Sequence, residues 1–490
     1  MYKLVIILRY LRRKLTPMFA ALAVTLCSAM VIIVISIMGG FLENMRSAAR
    51  TLEGDIIIQG DLYGFPHYEA LIAELDAMPQ VVAATANIKS YGLVNISDMI
   101  QTVEVVGIEP QGMEKVVHYR DTLYWTREHV LDDPIAPEDY PDAATRETYR
   151  AMRKNRAQVD YTKLGMAMAA PAELRAQEGP ALSGIVMGIH VSPYARRYPD
   201  GRYDVIDSQL LTELTLTLLP VTSKGTLLEP AARKLVLVNE FKTGLYAIDA
   251  NRVYIPFNVM QKMLGMDAHA DFDPDTGQPT GRTNPARATT VILRGRDGVP
   301  LPALKEAVTA KVEDFAKRHR NMRLPRVMTW EEKHATFLGA VLKEKFLVTI
   351  LFAFISIVAV VMIAVIFYMI VLEKTRDIGV LRAIGASWRG IMGIFLGYGL
   401  AIGVVGAFLG FWLAAAVVWN INGIQTFLTD VFGVTIWNPE VYYFDQIPNR
   451  MNPTEVTVIL AVAVVASVLG SVIPAVLAAM LNPVEALRYE

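Results

Sequence analysis

The hydrophobic positions of this chain fall into two patterns. Four runs are predominantly apolar: 18–41, 346–372, 391–419 and 456–480. None contains Asp, Glu, Lys, Arg or His. Each reaches the roughly 20 residues that a helix needs to cross a bilayer. Between the first two runs the pattern changes to short β-rich or alternating stretches: GDIIIQG (54–60), TVEVVGI (102–108), LTLTLL (214–219), KLVLVNEF (234–241), NRVYIPF (251–257) and TTVILRG (289–295). These predict strands. Two helices are expected there, HYEALIAELDAM (67–78) and a second from PLPALKEAV, with Leu301, Leu304, Val308, Val312 and Phe315 on one stripe. The expected fold class is therefore a membrane α-helical protein, four transmembrane helices in a one-plus-three order, with a large α+β extracytoplasmic domain after the first.

Expected boundaries follow. They are an amino-terminal segment 1–17, spans 18–41, 346–372, 391–419 and 456–480, an external domain 42–345, a polar segment 373–390, an external loop 420–455 and a carboxyl-terminal segment 481–490. Residues 120–230 are read as an inserted subdomain, and within them 120–180 is polar, charged and proline-bearing, as in LDDPIAPEDYPDAATRETYRAMRKNRAQ. A solvated excursion is the plain reading of that composition.

Charge sets the expected orientation. Lys3, Arg9, Arg12, Arg13 and Lys14 precede the first span, and Lys374, Arg376, Arg382 and Arg389 lie between the second and third. The loop 420–455 has only Arg450 against Asp430, Glu440, Asp445 and Glu455. Positive residues stay inside. Both termini and 373–390 are expected to be cytoplasmic and 42–345 periplasmic, in an inner membrane. The first run is too long for a secretory h-region and no cleavage pattern follows it, so it reads as an uncleaved span.

Catalytic chemistry is not written in the chain. It has no P-loop, no H-E-x-x-H, no C-x-x-C and no G-x-S-x-G. Cys27 is its single cysteine and lies inside the first apolar run. The seven histidines show no ligand spacing, and Asp271, Asp273 and Asp275 alternate without the glutamate that would close a calcium loop. No catalytic residue, metal ligand or nucleic-acid site is expected. The spans do carry packing chemistry: Gly393 and Gly397, Gly399 and Gly403, and Gly406 and Gly410 are small-xxx-small pairs in the third.

EKTRDIGVLRAIGAS (373–387) sits between two membrane-length runs. Ile378, Leu381 and Ile384 recur at three-residue steps, Gly385 suits a helix end and Ser387 an N-cap. A helix this short needs a surface to bury its stripe against. The headgroup region or a docked soluble subunit would serve.

This segment and the third run, LEKTRDIGVLRAIGASWRGIMGIFLGYGLAIGVVGAFLG, resemble the FtsX/MacB-type ABC permeases. RYLRRK (9–14), VISIMGGFLENM (34–45), TGLYAIDANRVYIPF (243–257), TWEEKH (329–334), YYFDQIPNRMNP (442–453) and NPVEALRYE (482–490) are most similar to the lipoprotein-releasing branch of that superfamily. The resemblance implies a MacB-like periplasmic domain and a transport subunit with no nucleotide site of its own. ATP and Mg would be bound by a partner ABC ATPase. It implies an ATPase-coupling segment of Glu373, Lys374, Arg376, Asp377, Ile378, Leu381, Arg382, Gly385 and Ala386, in which Arg376, Asp377 and Arg382 make polar contacts and Ile378 and Leu381 fill the partner's groove. It places a lateral substrate entrance near Ser36, Met38 and Phe41. Further implied partners are a second copy or a sister permease, a lipoprotein substrate, a periplasmic carrier and membrane lipid. Two other readings stand beside extraction. One is a permease that transmits force to an external partner or to efflux, and the other a membrane-anchored receptor or scaffold without an ATPase.

Overall fold

The computed structural model describes residues 16–480 apart from 98, 137–138, 141, 172–181, 199–200, 221–228, 273–278, 320–321, 434–436 and 438–445. Residues 1–15 of the expected amino-terminal segment, the whole carboxyl-terminal segment, the acidic turn at Asp273 and Asp275 and the first four residues of YYFDQIPNRMNP therefore lie outside the described residues. The chain divides into two compact bodies, one built from the long helices and the other from residues 45–335 with a short later segment.

Among the described residues, four helices are long and apolar enough to cross a membrane. The first is Thr16–Glu53, the second Ala335–Glu373, the third Trp388–Trp419 and the fourth Pro453–Met480. The glycines of the third helix explain how the bundle closes. A Cβ at Gly399 would overlap the Ser471 hydroxyl, and one at Gly403 would lie 2.9 Å from the Ser467 Cβ, both on the fourth helix. Farther along, a Cβ at Gly406 would meet the Val24 Cβ at 2.7 Å, and one at Gly410 the Thr25 carbonyl at 2.9 Å, both on the first helix. Missing side chains let the backbones approach, and hydroxyls then bond across: Ser467 donates to the Gly399 carbonyl at 2.9 Å and Thr25 to the Gly406 carbonyl at 3.2 Å. The neighbours of these four glycines are thus helices of this same chain. Residues 420–455 are more than a loop. A helix occupies Ile421–Phe432 and ends at Gly433 in the left-handed region.

The other body is a mixed α+β domain. Its strands are β1 (Ile56–Gln59), β2 (Phe65–Pro66), β3 (Val81–Ile96), β4 (Met99–Ile108), β5 (Gly184–Gly188), β6 (Glu213–Leu218), β7 (Ala231–Phe241), β8 (Arg252–Pro256), β9 (His269–Phe272), β10 (Pro279–Asn284), β11 (Arg287–Ala288), β12 (Thr290–Gly295) and β13 (Arg326–Thr329). Nine of them form one sheet in the order β13-β1-β12-β3-β4-β8-β5-β7-β6, and β6 pairs back onto β3. That extra pairing closes β3, β4, β8, β5, β7 and β6 into a six-stranded ring. The long β3 serves both halves. Residues Val81–Asn87 pair with β12 in the open part, and Gly92–Asn95 pair with β6 at the seam. Gly92 permits that seam, since a Cβ there would lie 2.7 Å from the Thr217 carbonyl.

Two hydrophobic cores follow from this topology. One gathers Ile88, Val94, Val105, Ile185, Leu216 and Leu237 of the ring with Trp125 and Tyr161. The other joins Ile56, Ile58, Val291 and Leu293 of the open sheet to Leu71 and Leu75 of helix Tyr68–Asp76 and to Leu304, Val308, Val312 and Phe315 of helix Leu301–Arg318.

Residues 120–230 correct the sequence reading. They form no separate body among the described residues: β5 and β6 lie inside the nine-stranded sheet, and Trp125, Val130 and Tyr161 belong to the ring's core. Nor is the polar stretch merely solvated. Its helix Ala143–Arg156 is anchored by Arg153, which is 2% exposed and ion-paired to Asp204 at 2.6 Å and Asp133 at 2.9 Å. Charged composition hid buried, paired charge.

Candidate functional site: a seated helix and a membrane-level cavity

Between the second and third long helices the chain folds into a short helix, Thr375–Ala383. Lys374 bonds Asp377 at 2.8 Å in its first turn. Gly385, at φ +100°, makes the turn that a side-chain-bearing residue would resist, and Ser387 accepts from the Gly390 amide at 3.2 Å to start the third long helix.

The seating of this helix overturns one expectation. Ile378 is 3% exposed and packs with Phe367, Ile370 and Val371 of the second helix and Ile391, Phe395 and Tyr398 of the third. Thr375 and Gly379 are buried on the same side. Ile378 therefore fills this chain's own bundle and is not free to enter a partner's groove. Arg382 also turns inward, donating to the Ala479 carbonyl of the fourth helix at 3.0 Å. Leu381 and Ala386 are half-buried, and Gly385 is exposed. The outward face consists of Glu373, Arg376, Asp377, Val380 and Ile384, with Ile384 80% exposed. Reading Ile378, Leu381 and Ile384 as one stripe missed Val380, because the helix is held by Thr375, Ile378 and Gly379.

A second feature lies within the bundle. A cavity of 440 Å³ opens between the first, second and fourth helices. Its walls are apolar, from Val31 and Ile35, Phe352 and Val360, and Val458 and Val462. At one end Lys345 and Glu455 pair at 2.8 Å. Cys27 lines it too, its Sγ 3.9 Å from the Ser356 hydroxyl. Ser36, Met38 and Phe41 do not line it. Ser36 is buried at 4% exposure and the other two are half-buried. The lining face is Cys27, Val31 and Ile35, spaced by four, a periodicity present in the sequence but masked because every neighbour is apolar too.

In the sheet domain the end of the first helix is clasped by charge. Glu53, 5% exposed, accepts from Lys89 at 2.8 Å, from Lys333 and from His334 at 3.2 Å. Arg252 and Glu104 pair beside them at 2.7 Å. Burial alone would raise the Glu53 carboxyl. The positive charge of Lys89, the His334 hydrogen bond and the charges of Lys333 and Arg252 outweigh it and hold the carboxyl well below the usual range. Lys333 ends the short helix Trp330–Lys333 of TWEEKH, whose Thr329 and Glu332 form a capping box.

Comparison with known proteins agrees with this layout. Residues 349–483 match the FtsX-like permease C-terminal family. The lipoprotein-releasing system transmembrane protein LolC of Xylella fastidiosa (strain 9a5c) is 26% identical over 287 residues, 59% of this chain and 62% of that one. LolC of Neisseria meningitidis serogroup B is 29% identical over 164 residues, 34% of this chain and 40% of its own length, and LolE of Haemophilus influenzae 29% over 119 residues, 24% and 29%. This chain thus spans less than two thirds of the curated relatives it matches. The periplasmic region of MacB from Actinobacillus actinomycetemcomitans aligns loosely, at 10% identity and a TM-score of 0.29, over 61% of this chain and 97% of that one. Residues 349–483, which hold most of the second long helix, the third and fourth and the seated helix between them, are thus similar to the FtsX-like permease C-terminal family, in a chain similar over part of its length to LolC and LolE.

Proposed function

We propose that this chain is the membrane subunit of an ABC transporter that lifts lipoproteins out of the inner membrane, driven by a separate ATPase. The observation that carries the reading is the seated helix. Its inward face is locked into the bundle by Ile378 and Arg382, so a push on its outward face is delivered to the second, third and fourth long helices rather than lost in a loop. Arg376, Asp377, Val380 and Ile384 are the groups that would meet the ATPase, which would bind the ATP and Mg. The basic residues around this helix support a cytoplasmic position for it.

The cavity supports the lipoprotein part. It is apolar along its length with a charged pair at one end, which suits an acyl chain below a polar headgroup. Drawing one chain of about fourteen carbons from a bilayer costs on the order of 11 kcal/mol at about 0.8 kcal/mol per CH₂. A protein without a nucleotide site needs a coupled engine for that.

A force-transmitting reading has its own support in the Glu53 clasp, which ties the last residue of the first helix to the residues that precede the second. One experiment separates the two. Ile35→Trp should fill the cavity. In proteoliposomes with the ATPase and a soluble carrier, extraction predicts that ATP hydrolysis continues while lipoprotein release stops. Release at the wild-type rate would discard the cavity as the route. Failure of Val380→Asp with Ile384→Asp to release the ATPase from a stably folded chain would discard the coupling face.

A further inference from the structure

The polar stretch absorbed by neither helix bundle nor sheet builds a cleft of its own. It has a volume of 710 Å³ and lies between helix Arg127–Leu131 and helix Ala143–Arg156. Five charged side chains line it: Arg127, Arg150, Arg153 and Lys154 against Asp133. Asp133 is already taken, since Arg153 pairs with it at 2.9 Å. Arg127, Arg150 and Lys154 are exposed, and among the described residues none of the three forms an ion pair or hydrogen bond.

The walls are fixed from behind. Arg153 is held by Asp204, Asp133 and the Tyr140 hydroxyl, and Arg156 bonds the Val205 carbonyl. These contacts pin one side of helix Ala143–Arg156 to the 204–208 segment and set Arg150 and Lys154, four residues apart, toward the cleft. Like charges at that spacing oppose helix formation by a few tenths of a kcal/mol. The helix dipole favours a cation such as Lys154 in the last turn. It does nothing for Arg127, which reaches the cleft from another helix. Three cations that line the cleft from two helices without forming an ion pair among the described residues make a concave positive site.

We propose that this cleft docks an acidic polypeptide segment of a partner protein. Three separated charges on two walls call for several carboxylates in series rather than one small anion. Leu131, 50% exposed, offers the backbone of such a segment an apolar contact beside the charges. The proposal does not depend on the transport reading.

The test uses the full chain in nanodiscs of phosphatidylcholine and a fluorescein-labelled oligo-aspartate peptide, followed by anisotropy. Binding should saturate and weaken as salt rises. Arg150→Glu with Lys154→Glu should weaken it by about tenfold or more, and Arg127→Glu on the opposite wall should weaken it independently. All three positions are exposed, so folding should be unaffected. An oligo-lysine peptide should bind the doubly substituted protein in place of oligo-aspartate. Unchanged affinity in the variants, or equal binding of oligo-asparagine, would overturn the proposal. So would inorganic phosphate competing as well as the peptide at matched ionic strength, which would mark a small-anion site. Variant-sensitive capture of phosphatidylglycerol vesicles without any peptide binding would make it a lipid-headgroup site instead.

Discussion

Glu53 and Lys333 form an ion pair, the carboxylate buried and the ammonium half-buried, that joins the last residue of the first long helix to the last residue of the short helix preceding the second. Lys89 of β3 shares the same carboxylate from the sheet side. Removing one member of such a cluster leaves the others buried without a counter-charge, at a cost of about 3–5 kcal/mol. Glu53→Gln should therefore lower the thermal midpoint of the sheet domain sharply at neutral pH. The pH profile follows from the depressed carboxyl. A group whose folded pKa lies below its unfolded value stabilises the fold above the unfolded value and loses that contribution as pH falls through the folded one. Wild-type stability should fall as pH drops from the ordinary glutamate range into stronger acid, and Glu53→Gln should flatten that fall. Thermal unfolding against pH reads both, and a parallel slope in the variant would remove Glu53 from the account.

Glu240 behaves in the opposite sense. It is fully buried on β7, accepts from the Trp125 indole at 2.6 Å and, among the described residues, has one oxygen without a partner. Burial pushes its carboxyl up to about 7, and the Trp125 hydrogen bond only partly offsets this. Its raised folded pKa gives stability that is present below the unfolded value and lost as pH rises toward 7. Glu240→Gln keeps an acceptor for the indole and cannot ionise. It should stabilise the domain at pH above 7, by on the order of 3 kcal/mol, and change little in mild acid. A variant equally stable with wild type on both sides of neutrality would show that Glu240 does not titrate there.

Gly410 and Gly399 bring the third long helix against the first and the fourth. Gly410→Val should force the third helix away from Thr25 and Ser28 of the first, and Gly399→Val should force it away from Ser467 and Ser471 of the fourth. Either change should lower the midpoint of the purified protein in detergent by several degrees, as overpacking costs about 1–3 kcal/mol. Gly423→Val, where a Cβ would meet nothing within 4 Å, is the control. Equal loss in all three would mean that helix propensity, not close approach, decides these positions.

Orientation can be read by labelling. In a Cys27→Ala background, Ala310→Cys on the exposed face of helix Leu301–Arg318 and the exposed Ser387→Cys should report opposite sides of the membrane. An impermeant thiol reagent on spheroplasts should label position 310 and spare 387. The reverse pattern would invert the topology drawn from the basic residues.

The sequence by itself determined the four apolar helices and most of the sheet. An uncharged run of that length has one low-energy fate in a bilayer, and stretches such as TTVILRG and KLVLVNEF have strand composition whatever packs on them. It also placed a short helix after Glu373, because Gly385 and Ser387 punctuate the chain locally. What it missed is instructive in the same terms. β3, VVAATANIKSYGLVNI, is buried on both faces in its first half and alternates only in its second, so no single period runs through it. Ring closure rests on Gly92 meeting Thr217 some 125 residues later, a contact that no local pattern encodes. The side on which Ile378 buries, the helices that the glycines of the third span touch and the pairing of Glu53 with Lys89 and Lys333 were likewise decided by the tertiary fold. A residue's type states that it must bury or pair. Only the chain's return path states against what, because that partner lies tens or hundreds of residues away and is chosen by packing the whole.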